Sequence, residues 1–431
     1  MKTVMKNILL GSVAGLAMVG TAAAADLPVK AKAAEYVKIC STYGAGFYYI
    51  PGSDTCLKIG GYVTADTYFT DGDLSGRSTF GGITDRVSGS GNETYFLTRA
   101  AVTADARTQT EYGTLRSYIE LRATYGNTGG IANEFSNDDL SNLTDTGGRS
   151  GNNFQLKYAY IQFAGFTFGK ATSAFDFWAG DGWYGIEPGF LYSDVTPNLV
   201  SYTADFGNGF SATLSVEDAN EREAQGEVAN YWVPGYDENQ SVPDIVGNIA
   251  YEGTWGAAKA SVAYHDLREV DLLSSDSSGW AALAGVRFDI AETTTLYLEG
   301  VYADGAVGYT GLGNYVPEVD AVGNSVSAWY VGGMLQHYWT PSVFTTVVGS
   351  YGEADSFATG YNGFNGGTGT VDFTGYNVGA SIGWIPVKGL TLVLQYDYLD
   401  AEYSYADYVP GDAESITYEQ NRITFSAKRT F

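Results

Sequence analysis

Sixteen segments of this chain alternate apolar and polar side chains, and their connections alternate strictly between short turns and long polar loops. Successive side chains of a strand point to opposite faces, so each segment makes a strand with one apolar face. In the last segment Ile423, Phe425, Ala427 and Phe431 share one face. Arg422, Thr424, Ser426, Lys428 and Thr430 share the other. Elsewhere the polar faces carry Arg99, Asp105, Arg107, Arg116, Glu120, Arg122 and Lys157. A packed interior rejects such groups and water accepts them. The apolar faces are then left to meet lipid. A sheet in lipid must close on itself, because an open edge leaves backbone groups unpaired. The pattern therefore predicts an all-β fold: a 16-stranded antiparallel transmembrane β-barrel over residues 57–431, with short periplasmic turns and long extracellular loops. The first strand is expected over 57–69, followed by a long polar loop to Gly91. An even strand count lets the first and last strands pair antiparallel.

The N-terminus points to the compartment. Lys2 and Lys6 precede an apolar run from Ile8 to Val19, and Thr21-Ala22-Ala23-Ala24-Ala25 follows. A basic start, a short apolar stretch and small residues before a cleavage point mark an export signal. The run falls short of the roughly 20 residues that a membrane helix needs. Residues 1–25 are expected to be a signal peptide. The formal net charge of −26 becomes −28 once Lys2 and Lys6 are removed. No nucleic acid is expected as a partner, since that requires a basic face. Such a charge also suits a soluble acidic surface, which remains the alternative to acidic loops. Abundant Tyr (34) and Gly (56) favour strands, and Tyr and Trp suit membrane–water boundaries.

Cys40 and Cys56 are the two cysteines. In an exported chain they are expected to form a disulfide, worth roughly 3 kcal/mol through the closed loop. Two reduced thiols are the alternative. No metal is expected from so few soft ligands. Gly379-Ala380-Ser381-Ile382-Gly383 fits the pattern of a nucleophilic serine, but it lies inside an alternating strand, and that chemistry needs a strand-to-helix turn. His265 and His337 lack metal-ligand spacing, and Asp71-Gly72-Asp73 is too short a signal for calcium. No reaction and no cofactor are expected. A substrate-specific channel or receptor stays open as an alternative, with Tyr231-Trp232-Val233-Pro234-Gly235-Tyr236 as a ligand-binding loop. An outer-membrane barrel hydrolase is the more distant one.

Cys40, Tyr43-Gly44-Ala45-Gly46-Phe47, Pro51-Gly52 and Thr55-Cys56-Leu57 lead into the first strand. This stretch closely resembles the start of the general-diffusion porins of alphaproteobacteria. The resemblance implies an outer-membrane porin, a homotrimer that passes small hydrophilic solutes and ions. It also implies that outer-membrane lipid surrounds the barrel. Residues 26–56 become a periplasmic lead. The C-terminal strand, with Phe425 and Phe431, is expected to engage the barrel-assembly machinery.

Porins of this kind fold their third long loop inward. Here that loop is 171–197, rich in aromatics and carrying Asp176, Asp181 and Glu187. Long loops this apolar are seldom merely solvated. A basic wall of Arg99, Arg116 and Arg122 is expected to face it, with Lys58, Lys157 and Arg422 as further wall residues. Pairing Thr108 with Gly113 places Arg99 opposite Arg122 and Asp105 opposite Arg116. Cations facing an acidic loop give a transverse field that favours small polar solutes. The alternative is that Arg99 and Arg122 pair with local acids as structural wall residues.

Overall fold

The computed structural model describes residues 38–80, 83–126, 151–178, 192–222, 224, 242–267, 277–313, 315–320, 323–360, 368–406 and 414–431. The expected signal peptide and residues 26–37 of the lead lie outside these. A two-residue strand, β1 (Tyr48–Tyr49), precedes the barrel wall. The wall begins with β2 (Cys56–Phe80), β3 (Ile83–Thr110), β4 (Gly113–Gly126) and β5 (Gly151–Phe163). It continues with β6 (Phe166–Lys170), β7 (Asn198–Gly207), β8 (Phe210–Glu217) and β9 (Asp244–Gly253). Next come β10 (Gly256–Leu267), β11 (Ser277–Ile290), β12 (Thr294–Asp304) and β13 (Ser327–Thr340). The last are β14 (Val343–Gly360), β15 (Thr368–Val387), β16 (Leu390–Ala406) and β17 (Glu414–Thr430). Each wall strand pairs antiparallel with the next. β17 pairs with β2, with Thr430 opposite Tyr62 and Ile416 opposite Gly76, so the sixteen strands close into a barrel.

The expected alternation sets the two faces. On β10, Val262 and Tyr264 face outward, while Ser261, Ala263 and His265 are buried inside. Outward aromatics gather at both rims. Phe210, Tyr251, Trp255 and Phe288 touch in sequence near the turns. Trp280–Tyr302 and Tyr376–Tyr398 pair near the loops. Rings with one apolar and one polar end suit these two boundaries. The turns are tight: between β7 and β8, Asn208 and Gly209 both take positive φ, 54° and 87°, as a two-residue hairpin turn requires.

The segment expected to be the first long loop is instead a paired extension of β2 and β3, in register up to Phe80 opposite Ile83. Beyond the lipid both faces of a ribbon are wet, so the hydrogen-bond ladder continues after the apolar alternation has stopped.

A second departure lies inside the barrel. The loop between β12 and β13 folds into the lumen. Its Ala306, Val307, Tyr309, Leu312 and Val316 are fully buried. They form one core with inward residues of the wall, among them Ala281 of β11, Ala303 of β12, Phe373 of β15 and Leu399 of β16. Alanines on the wall leave room for the loop. The lumen is therefore not wet throughout, as the sequence led us to expect. Its β9 to β17 side holds an apolar core, set beside buried polar groups such as Asp244, His265, Glu318 and Asp397.

At the opposite end, Cys40 and Cys56 are joined, with Cα atoms 6.0 Å apart. β1 pairs back onto β2 through Tyr48 opposite Leu57. The closed loop puts the Tyr43 and Phe47 rings 5.7 and 5.1 Å from the Arg107 guanidinium.

Candidate pore constriction

The basic wall starts from the β3–β4 hairpin. Its turn is Glu111-Tyr112, and Thr110 pairs with Gly113. The expected register was two residues short. A shift of two keeps every side chain on its face but changes its partner. Arg99 lies opposite Thr124, not Arg122, and its Nε donates to the Thr124 hydroxyl at 3.1 Å. Arg122 lies opposite Ala101, and Asp105 lies opposite Tyr118.

The facing pair is Arg107 and Arg116. Two guanidiniums side by side repel, and Asp105 resolves the conflict. Its carboxylate accepts from Arg107 at 2.9 and 2.7 Å and from Arg116 at 3.1 and 3.0 Å. Arg116 Nη1 also donates to Gln162 at 3.0 Å. Further up β4, Arg122 is buried and pairs with Glu120 at 2.9 Å. Lys157 is buried where β5 bulges opposite Glu120 and Leu121. Lys58, on β2, lies 6.0 Å from the Phe47 ring. Arg422, on β17, pairs with Asp397 at 3.3 Å. Six of these cations (Lys58, Arg99, Arg107, Arg116, Arg122 and Lys157) thus share the lumenal face of β2 to β5, and Arg422 stands on the next strand around.

The described ends of loop 171–197, residues 171–178 and 192–197, pack against the inner side of the wall. Its roots continue the β6–β7 pairing inward, with Ala171 N to Pro197 O at 3.2 Å and Ser173 N to Val195 O at 3.0 Å. Asp176 does not face the passage. Its side chain is fully buried and accepts from the Ser193 hydroxyl (2.5 Å), Val195 N (2.8 Å) and Arg222 Nη2 (2.6 Å). A carboxylate on one limb of the loop that binds a hydroxyl and a backbone N–H of the other limb ties the two together, so it serves as a latch. Asp181 and Glu187 lie outside the described residues.

Sequence reasoning missed the groups that hold the loop. Arg222 lies in a short helical turn, Ala219–Arg222, after β8. Burial alone would lower its pKa; the Asp176 carboxylate outweighs that and raises it. Glu217 accepts from the Ser173 hydroxyl at 2.6 Å and Ala174 N at 2.8 Å. Glu299 accepts from Trp178 N at 3.0 Å, and the Tyr330 hydroxyl bonds to it. Lys259 Nζ donates to the Asp176 carbonyl at 2.6 Å. The loop between β12 and β13 is pinned in a similar way. His265 lies between Asp244 (2.8 Å) and Glu318 (3.3 Å), and the Tyr309 hydroxyl donates to Asp244 at 2.5 Å. The readable signal was the density of apolar residues in that connection, where a solvated loop would carry few.

Between the wall and the roots of loop 171–197 lies an open lumenal pocket of ≈ 580 Å³ bordered by Arg116, Tyr118, Tyr160, Ser201 and Lys259. The Gly379–Gly383 stretch sits within β15 and makes no strand-to-helix turn. Among the described residues no His, Cys, Asp or Glu cluster has the geometry of a metal site.

Residues 26–427 match the model of a porin subfamily. The chain is 32% identical to porin Omp2b of Brucella abortus over 306 residues, 70% of this chain and 74% of that one. Porin Omp2b of Brucella melitensis matches at 32% over the same shares. Among solved structures, the outer membrane channel DcaP of Acinetobacter baumannii aligns with a TM-score of 0.59 at 16% identity, covering 89% of this chain and 99% of that one. That likeness speaks for the fold. The chain belongs to the porin subfamily and forms a diffusion pore in the bacterial outer membrane.

Proposed function

We propose that small hydrophilic solutes and ions diffuse passively through an off-axis gap. The basic wall of β2 to β5 bounds it on one side and loop 171–197 on the other. The loop between β12 and β13 fills the remainder. The observation that carries this reading is the facing pair of Arg107 and Arg116 with Asp105 as their shared carboxylate. Two cations and one anion leave the patch net positive, so it draws small anions toward the narrowest part of the path. We read the chain as a non-enzymatic channel in which selection is by size and charge. In this reading Arg99, Arg116 and Arg122 line the constriction, with Lys58, Lys157 and Arg422 as outlying wall charges.

We also infer a homotrimer. β6 has five residues and spans about 16 Å at ~3.3 Å per residue, well under the about 25 Å of a barrel's apolar band. The chain leaves the wall at Lys170 to become the inward loop, so the wall is low there. A second copy against β5 to β7 covers that gap, and the family resemblance makes the number three. At the other seam Phe431 N donates to Gly61 O at 3.0 Å, which leaves the ring as an exposed C-terminal tag for the assembly machinery.

The test is single-channel conductance of the mature protein in a planar bilayer with KCl. Discrete steps that grow about linearly with salt support the pore, and closures in thirds support the trimer. Silence from protein shown to be folded overturns the reading.

A further inference from the structure

The lumenal face of β4 and β5 carries an aromatic patch that ion diffusion does not need. Tyr118 and Tyr160 stack with ring centroids 5.3 Å apart at 27°. Tyr158 meets them edge-on at 6.2 and 6.4 Å. The Arg116 guanidinium lies over Tyr118 at 5.1 Å and over Tyr160 at 5.4 Å. The pocket of ≈ 580 Å³ opens onto this cluster, and hydroxyls of Ser201, Thr203 and Thr213 line its far side. Its size falls within the about 300–1,000 Å³ typical of small-ligand sites.

The patch also has unused bonding capacity. Arg116 commits donors to Asp105 and Gln162, yet its side chain keeps 25% of its surface exposed. A guanidinium has five N–H groups, so its outer edge still offers donors to a carboxylate. The Tyr160 hydroxyl has no hydrogen-bond partner among the described residues. Arg107 shares Asp105 with Arg116, so the local charge stays positive.

A tyrosine face, a free hydroxyl, a ring of hydroxyl-bearing side chains and an exposed guanidinium edge together match one kind of solute. A pyranose presents a C–H face that stacks on an aromatic ring and a rim of hydroxyls that seek partners. A carboxylate on that ring completes the match through Arg116. We propose that Arg116, Tyr118, Tyr158 and Tyr160 form a binding subsite for carboxylated monosaccharides at the constriction itself. The subsite rests on the pore reading and adds a preferred solute class to it. Glucose retains the stack and loses the ion pair. Acetate retains the pair and loses the stack. Only a sugar acid makes both contacts.

The experiment records KCl current through single channels while glucuronate, glucose or acetate is added at matched concentrations. Glucuronate should reduce the current along a saturating curve, with the other two much weaker. Tyr118→Leu/Tyr160→Leu should weaken the glucuronate effect by about tenfold, the factor that corresponds to ~1.4 kcal/mol. Arg116→Gln should erase the preference for glucuronate over glucose. Tyr160→Phe, which removes one hydroxyl from a folded barrel, should weaken it in the same direction and serves if the double variant fails to fold. Equal effects of the three solutes, or a block unchanged in the variants, overturn the subsite while leaving the pore intact. Absence of KCl steps in the unsubstituted protein overturns the pore itself.

Discussion

Tyr309 stands edge-on to Phe175, with ring centroids 4.7 Å apart and planes at 69°. One ring belongs to the loop between β12 and β13, the other to loop 171–197, so the two inward loops are packed as one body. Arg222 sits over both rings, 4.4 Å from Tyr309 and 5.7 Å from Phe175. A Cβ on the adjacent Gly308 would collide with the Arg222 carbonyl oxygen, so the approach tolerates only glycine. The described parts of the two inward loops thus pack as a single plug inside the barrel.

Replacing residues 307–324 by a short glycine–serine link should widen the path. The loop occupies the β9 to β17 side of the lumen. Its removal should raise single-channel conductance on the order of twofold and admit larger sugars. Conductance in KCl and liposome swelling with sugars of graded size check this. An unchanged exclusion limit would show that loop 171–197 alone sets the width.

Asp176→Asn should loosen the inward loop without touching the wall. Arg222 would remain buried with its main carboxylate partner gone, a loss of roughly 3–5 kcal/mol. We expect a lower temperature for the gel-mobility shift that reports barrel unfolding. We also expect noisier open-channel current, since one of the two oxygens that hold the Ser193–Val195 limb is lost.

Neutralising the wall should move ion preference in one direction. Arg99→Gln, Arg116→Gln and Arg122→Gln each remove a cation from the path and should shift the reversal potential in a KCl gradient toward cations. The shift should be greatest at low salt and shrink near 1 M, where screening reaches about 3 Å. Arg122 is deeply buried and ion-paired, so its substitution should also cost stability. Arg99→Gln should cost little.

Reducing the Cys40–Cys56 bridge should release the lead and leave the barrel closed. The Tyr43 and Phe47 rings would leave Arg107, and the loss of loop closure should amount to roughly 3 kcal/mol for that segment. Trypsin should then cut at Lys38 and Lys58 faster, while KCl steps persist. Equal cutting rates with and without reductant would show that the lead is held by its packing alone.

The sequence revealed what period-two patterning can reveal. All sixteen wall strands and outward residues such as Phe96, Val102 and Ile423 were legible, because lipid on one face forces alternation. The β3–β4 register was not. A slip of two residues preserves every face, and only the turn chemistry of Glu111-Tyr112 distinguishes the alternatives. Arg99, Arg116 and Arg122 share the inner face, but the residue opposite Arg116 is Arg107 and not the expected Asp105. Asp176 was legible as an acid on an inward loop. Its role depends on Arg222, 46 residues later, and no local pattern connects the two.

The seam between β2 and β17 has a kinetic consequence. The strands that complete the wall are the first and the last to leave the ribosome. Until Thr430 lies opposite Tyr62, β2 keeps a row of unpaired amides and carbonyls with no mate on that side. Closure is therefore the longest-range strand pairing among the described residues, and a wall left unclosed would keep two sheet edges free to pair with other chains.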